Sequence, residues 1–372
     1  MKLLLLAGEE SGVLYAERIR AEVLRSHSDA DIRGYGDCGF KTSDLAVIGF
    51  FAVLRKILFF LRVKRTMERT IDEWKPDVVC TVDYPGLNLK LAAYAKARGI
   101  RTVHVVCPQV WAWKKGRIPK IEASLDKLCC FFPFEPALFK PGFAEFVGHP
   151  LVDEMGREGK GKREEGREEK SLAILPGSRM GEIEKHLPIL LEVVKELQKS
   201  PCLRASVFKV VIPAANDRAY RVISSCVSRA SSLFPLPSSL RVTHGGARAV
   251  LRDADAAIVA SGTATLEAAL IGCPTVLVYR VSWLFAAIMR RLIKGVRHLG
   301  LANIIAEKAG VTCPMPELLQ EDFTAGNILR YVSPWLEDPA ANAAARQSLA
   351  ETMKLLKSDG GAIARIVTCL GV

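Results

Sequence analysis

Short apolar runs that stop at glycine, serine or aspartate alternate along this chain with longer stretches whose apolar residues recur every three or four positions. Runs of the first kind lie at 3–6, 78–82, 101–106 and 127–132, and another over 143–150 ends in Val147-Gly148-His149-Pro150. Brief β-branched-rich runs closing on a turn predict buried parallel strands. Between them, 13–27 and 88–98 carry helical spacing. The second of these places Leu87, Leu89, Leu91, Ala92 and Ala95 on one face and Gly99 at its stop. The alternation then starts afresh, with strands expected at 172–175, 207–212, 240–243, 256–260 and 275–279 and helices at 182–199 and from Ser261 to Ile271. Two such arrays in tandem predict an α/β chain of two Rossmann-like halves facing a cleft. Residues 156–170 contain no apolar side chain and read as a charged linker or insertion. The expected domains are therefore 1–155 and 171–339, followed by closing helices over 340–372.

Two helical stretches are more apolar than a single core stripe requires. In 50–74, Phe50, Leu54, Ile57, Leu58, Leu61, Ile71 and Trp74 form the stripe, while Phe51, Phe59 and Phe60 widen it and Arg55, Lys56, Arg62, Lys64, Arg65 and Arg69 supply a basic side. Such a helix suits an anionic membrane surface, and equally a core with a solvated basic face. The stretch 282–296, with Trp283, Phe285 and Ile288, reads as core or as lining of the cleft.

Composition narrows the partners. At 372 residues the chain exceeds one ordinary core, and 49% hydrophobic against 25% charged residues makes it globular. A net charge of +12 calls for anionic company, such as phosphorylated substrates or acidic headgroups. Nucleic acid is disfavoured, because the positive charge spreads over both halves and no recognition module is evident. Ten cysteines without a CxxC pair or metal-ligand spacing fit buried thiols in a reducing compartment, and no metal site is expected. The apolar start at 3–7 is too short for a signal sequence, and no run reaches the ~18 apolar residues that span a bilayer.

Candidate chemistry gathers at the ends of the expected strands, where open parallel sheets bind ligands. Asp83 closes the strand 78–82 near Asn88 and Gln109, and reads either as a general base or as a cap for the next helix. The segment Pro108-Gln109-Val110-Trp111-Ala112-Trp113 should bring an amide and an exposed Trp pair to the same crevice. Gly8-Glu9-Glu10-Ser11-Gly12 is a glycine turn at a helix start, suited to phosphate or sugar, or a plain turn. Leu175-Pro176-Gly177-Ser178-Arg179 and Ser261-Gly262-Thr263-Ala264 place hydroxyls, backbone N–H groups and a guanidinium at two helix N-termini. Together they favour a nucleotide diphosphate over plain turns, with Glu267 one turn on in reach of a ribose diol. Neither GxGxxG nor GxxxxGK[ST] is present. His149 reads as structural or as lining the crevice.

These motifs, in this order, resemble the lipid-A-disaccharide synthase family of inverting glycosyltransferases. The resemblance runs from Ala7 to about Gly310 and includes Asp83-Tyr84-Pro85, Phe132-Pro133-Phe134-Glu135, Gly148-His149, Tyr279-Arg280 and Leu301-Ala302-Asn303, with Trp111-Ala112-Trp113 and Ser261 to Glu267 the most specific parts. It implies GT-B architecture and transfer of 2,3-diacylglucosamine from UDP to 2,3-diacylglucosamine 1-phosphate, giving the β-1,6 disaccharide 1-phosphate and UDP without a cofactor. It implies Asp83 as the base that activates the acceptor hydroxyl. Gly177, Ser178, Arg179, Ser261, Gly262, Thr263, Ala264, Glu267 and Arg280 would hold the nucleotide sugar. Glu9, Ser11, Asn88, Gln109, Trp113, His149 and Asn303 would line the acceptor side, and Phe51, Leu54, Leu58, Phe59 and Phe60 would dock on an anionic membrane. That places the chain in the cytoplasm, peripheral on the inner face of the cytoplasmic membrane, and a homodimer is compatible with it. The chain departs from the family at Val13 and Gly86, which each remove a carboxylate from the crevice rim, and at Leu87 and Ala302. The rival readings are another UDP-sugar enzyme of the same architecture, a 2-epimerase or peptidoglycan-type transferase, and a membrane-surface binding homologue impaired in catalysis.

Overall fold

The computed structural model describes residues 1–8, 10–41, 57–112, 115–157, 169–201, 203, 208–282 and 297–371. The chain divides into two compact units, one of residues 1–153 with 356–372 and one of 154–355.

In the first unit six parallel strands, β1 Lys2–Ala7, β2 Asp31–Arg33, β3 Val78–Val82, β4 Arg101–Val105, β5 Lys127–Cys130 and β6 Ala144–Phe146, lie in the order β2-β1-β3-β4-β5-β6. The unbroken apolar runs follow from burial on both faces. Leu3, Leu5, Val78 and Cys80 pack with Ile19, Val23, Ile366 and Leu370 from the helices Glu10–Ser26 and Ala362–Leu370. On the opposite face, Leu4, Leu6 and Val79 pack with Val63, Met67 and Ile71 of the helix Ile57–Trp74 and Leu87, Leu91 and Ala95 of the helix Pro85–Lys96. Alternate residues of each strand thus serve two cores.

In the second unit β7 Lys170–Leu175, β8 Phe208–Ala214, β9 Leu240–His244, β10 Ala256–Ala260, β11 Thr275–Tyr279 and β12 Glu317–Leu319 are parallel, in the order β12-β11-β10-β7-β8-β9. Counted from β7, that is the 3-2-1-4-5-6 order of a dinucleotide-type Rossmann sheet. The direction of winding reverses between β7 and β10, and in the first unit between β1 and β3. Ligands bind outside the strand ends at such reversals.

Two expectations change. The closing segment is not one block: the helix Pro339–Lys354 belongs to the second unit, and Ala362–Leu370 returns to the core of the first. The helix Ile57–Trp74 turns differently from its expected stripe. Ile57, Leu58 and Leu61 are exposed, Leu58 at 78%, whereas Phe59 and Phe60 lean on the core beside Phe40 and Tyr84. Phe51 and Leu54, like the apolar stretch 283–296, lie outside the described residues.

Candidate active site

The turn after β3 carries an unusual backbone. Asp83 and Tyr84 have φ of 50° and 52°, a left-handed pair without glycine, which costs about 1–2 kcal/mol per residue. Asn88 holds it. Its Nδ2 donates to the carbonyls of Asp83 at 2.7 Å, Val82 at 3.2 Å and Leu6 at 3.3 Å, and its Oδ1 accepts from the Tyr35 hydroxyl at 2.7 Å. The Asp83 N–H donates to the Val105 carbonyl at 2.9 Å, tying the turn to β4. The Tyr84 ring lies against Gly8, where a Cβ would meet ring carbons at 2.6 Å. At Gly12, in the first turn of the helix Glu10–Ser26, a Cβ would sit 3.8 Å from that of Asp83. Asp83 therefore stands where β1 and β3 part, beside a helix N-terminus. Its half-buried carboxyl is raised above the usual range by desolvation, against which the Tyr84 N–H donates to Oδ1 at 2.8 Å. A carboxylate raised in this way takes a proton more readily.

The neighbouring candidates divide. Asn88, expected on the acceptor side, is instead fully buried with both polar atoms engaged, and it positions the Asp83 turn. Gln109 is exposed. The expected exposed Trp pair is not found at Trp111, which is 5% exposed and donates from Nε1 to Glu135 Oε1 at 3.1 Å. Glu135 Oε2 accepts from the Phe132 N–H at 3.1 Å, and burial pushes the carboxyl up to about 8. Cys107 and Cys130 reach the same spot, their sulfurs and a Glu135 oxygen all within 4.8 Å of one another. Both Glu135 oxygens already accept from N–H groups, so we read the trio as a structural knot beneath the loop. His149 has the packing of a structural histidine. Buried against Phe131 and Phe132, it accepts at Nδ1 from the Leu151 N–H at 3.2 Å, and burial lowers it to about 4. Glu9 and Trp113 lie outside the described residues, and Ser11 is described only as helical backbone.

In the second unit the two anion-type turns end adjacent strands, since β7 and β10 pair with Val259 opposite Leu175. Gly177 has φ of 118° and sits on Glu182, whose Oε2 would lie 2.7 Å from an added Cβ. Ser178 and Arg179 are exposed, and Arg179 Nη1 donates to Glu182 Oε1 at 2.9 Å. The helices Met180–Leu197 and Thr263–Ile271 both begin without a side-chain cap, which leaves N–H donors at the turns. Gly262 and Thr263 are exposed, Ser261 and Ala264 half-buried. Glu267 Oε1 accepts from Arg248 at 2.9 Å, and Arg248 reaches Glu154 at 2.7 Å, so the carboxylate is held in place.

Two expected ligand contacts are braces. Arg280 donates from Nε and Nη2 to the Gln320 carbonyl at 3.1 and 2.8 Å and from Nη2 to that of Phe323 at 2.7 Å, which ties the end of β11 to the segment after β12 and engages one side of the guanidinium. Asn303 is buried. It donates to the Met315 carbonyl at 2.7 Å and to Glu317 at 2.8 Å, and accepts from the Met315 N–H at 3.0 Å. A residue missing from the sequence reading joins the turns. His186 Nδ1 donates to the Pro176 carbonyl at 2.8 Å, and Nε2 accepts from the Arg280 N–H at 3.1 Å. A histidine in a helix interior gives no sequence signal for this.

Two Rossmann-like units, each with candidate turns at its winding reversal, place the chain in the GT-B class. Solved structures of that fold superpose over almost the whole chain. They include a UDP-N-acetylglucosamine 2-epimerase from Listeria monocytogenes described as putative (TM-score 0.64, 12% identity, covering 99% of this chain and 95% of the other) and CalG4, the calicheamicin glycosyltransferase (TM-score 0.59, 15% identity, 100% and 97%). The lipid-A-disaccharide synthetase family matches residues 3–361, and the chain belongs to that family; it is a glycosyltransferase. Similar relatives are the lipid-A-disaccharide synthases of Neisseria meningitidis serogroup A (39% identity over 85% of this chain and 81% of the relative) and Syntrophus aciditrophicus (33%, over 96% and 94%).

Proposed function

We propose that the protein transfers 2,3-diacylglucosamine from its UDP ester to the 6-hydroxyl of 2,3-diacylglucosamine 1-phosphate. Asp83 takes the acceptor proton as the oxygen bonds to the donor's anomeric carbon, whose bond to the β-phosphate breaks and releases UDP. The N-terminal turns at Gly177 and Gly262, with Ser178, Arg179, Ser261 and Thr263, receive the charge that develops on the leaving diphosphate. Glu267, fixed by Arg248, is positioned to accept from the ribose hydroxyls. The observation that carries this reading is the strained, half-buried Asp83 at a winding reversal, in a chain whose family match runs from residue 3 to 361.

The helix Ile57–Trp74 fits substrates with acyl chains. It exposes Ile57, Leu58 and Leu61 together with Arg62 and Arg65, a pairing suited to docking on the anionic inner face of a membrane. Among the described residues no helix is long and apolar enough to cross one. The test of the transfer is UDP release by purified protein, expected only when UDP-diacylglucosamine and the lipid 1-phosphate are both present. Donor epimerisation, or UDP release that ignores the acceptor, would overturn it.

A further inference from the structure

Directly after the Asp83 turn, the helix Pro85–Lys96 and the helix Ile118–Ser124 enclose a groove of about 280 Å³. Leu89 and Ile121 form its floor, and Lys90, Arg117 and Lys120 stand around it, with Gly86 at one end. Among the described residues no carboxylate lines it. Glu122, on the same short helix, accepts from the Lys140 N–H at 2.7 Å instead. Other lysines nearby are neutralised: Lys96 pairs with Asp126 at 3.1 Å and Lys127 with Glu145 at 2.9 Å. None of the three groove cations forms an ion pair with a described residue. The Pro85–Lys96 helix also begins without a side-chain cap, and its second residue, Gly86, is exposed, with nothing within 4 Å of where a Cβ would stand. Three uncompensated cations and a helix N-terminus around one concavity form a site for a compact dianion.

We propose that this groove binds the phosphomonoester of the acceptor. The inference rests on the transfer reading above and adds which surface recognises the acceptor. The carbons that bear the 6-hydroxymethyl group and the anomeric phosphate both flank the ring oxygen of one hexose, so the two groups lie a few bonds apart, and Asp83 and Gly86 are three residues apart across one turn. A phosphate gripped by Lys90, Arg117 and Lys120 therefore directs the hydroxyl toward the base. The apolar floor carries the sugar face, and the charge selects a phosphorylated acceptor over a neutral one.

The test is the variant Lys90→Gln/Arg117→Gln/Lys120→Gln, assayed in neutral detergent micelles with donor and acceptor varied separately. KM for the lipid 1-phosphate should rise by about tenfold or more, while KM for the UDP-sugar stays within about twofold. The native enzyme's preference for the phosphorylated acceptor over its dephosphorylated form should collapse in the variant. If the triple variant does not fold, Lys90→Gln and Lys120→Gln singly, both at exposed positions, should each show part of the rise. An unchanged acceptor KM in micelles overturns the proposal. So does a variant whose only defect is weaker binding to phosphatidylglycerol vesicles, because the groove would then hold lipid headgroups. Native enzyme that fails to turn over the two substrates would instead refute the transfer reading itself.

Discussion

In the proposed transfer, Asp83 is the residue on which the chemistry turns. Asp83→Asn keeps the size and the Tyr84 contact but removes the proton acceptor, so kcat should fall by about 10²–10⁴-fold with UDP-sugar binding retained. As the proposed base Asp83 would work ionised, and desolvation raises its pKa. Activity is therefore present above that value and lost as pH falls through it, so the acid limb of the rate profile should lie above the ordinary aspartate range near ~3.9. Lost donor binding with intact turnover of bound substrate would reject Asp83 as base. Asn88 acts one step back. Asn88→Ala strips donors from three carbonyls and frees the left-handed pair, so it should cost about 1–3 kcal/mol in urea titration and lower kcat more than either KM. Glu135 makes a stability prediction. The fold keeps it protonated up to about 8, whereas the unfolded chain ionises near ~4.3, so its contribution is full below the unfolded value and lost as pH rises through 8. Calorimetry across that range should show the native Tm falling with pH more steeply than that of Glu135→Gln; parallel slopes would refute it. These residues also mark where sequence reading stops. The place of Asp83 at a strand end was legible because the apolar run 78–82 stops at it. Asn88, Asn303 and Arg280 show their donors in the sequence but not the backbone carbonyls they serve, and so passed for ligand contacts.

Among the elements, strands were legible because burial on both faces leaves an unbroken apolar run, as in Leu3 to Leu6. The helix Ile57–Trp74 was harder. Spacing says which residues share a face, but here two apolar faces coexist, and only packing shows that Val63, Met67, Ile71 and Trp74 point inward while Ile57, Leu58 and Leu61 point out. Those outward residues make the membrane reading testable. Leu58→Ser with Leu61→Ser removes apolar area that contacts no core, so thermal stability should hold. Binding to phosphatidylglycerol vesicles should weaken by about tenfold or more, each leucine contributing up to ~1.5–3 kcal/mol on burial. Co-sedimentation of the two proteins with vesicles decides it, and equal binding would remove this helix as the docking element.

For the whole molecule, the alternation of runs gave away two sheets, but not that the chain's end goes home. Helical spacing in 362–370 names Ile366 and Leu370 as an inner face without saying whose interior they enter. The structure answers with a series of contacts in the first unit. The His149 N–H donates to the Leu356 carbonyl at 3.1 Å, and the Ser358 hydroxyl to that of Val147 at 2.6 Å. The Ala362 N–H caps onto Asp153 at 2.6 Å, Arg101 donates to the Cys369 carbonyl at 3.0 Å, and Arg365 pairs with Glu145 at 2.9 Å. Ile366 and Leu370 then complete the face of β1 and β3 that the helix Glu10–Ser26 covers only in part. Burying those two side chains contributes about 1.5–3 kcal/mol each, a large share of a stability of roughly 5–15 kcal/mol. A chain ending at Leu355 should therefore lose hydrogen-exchange protection in β1 and β3, while β7 and β10, whose core includes no residue beyond 355, keep theirs. Because Asp83 hangs from the end of β3, the truncated protein should lose turnover while still binding UDP. Loss of protection in both sheets alike, or turnover that survives the truncation, would show that the terminal helix does not carry the first unit.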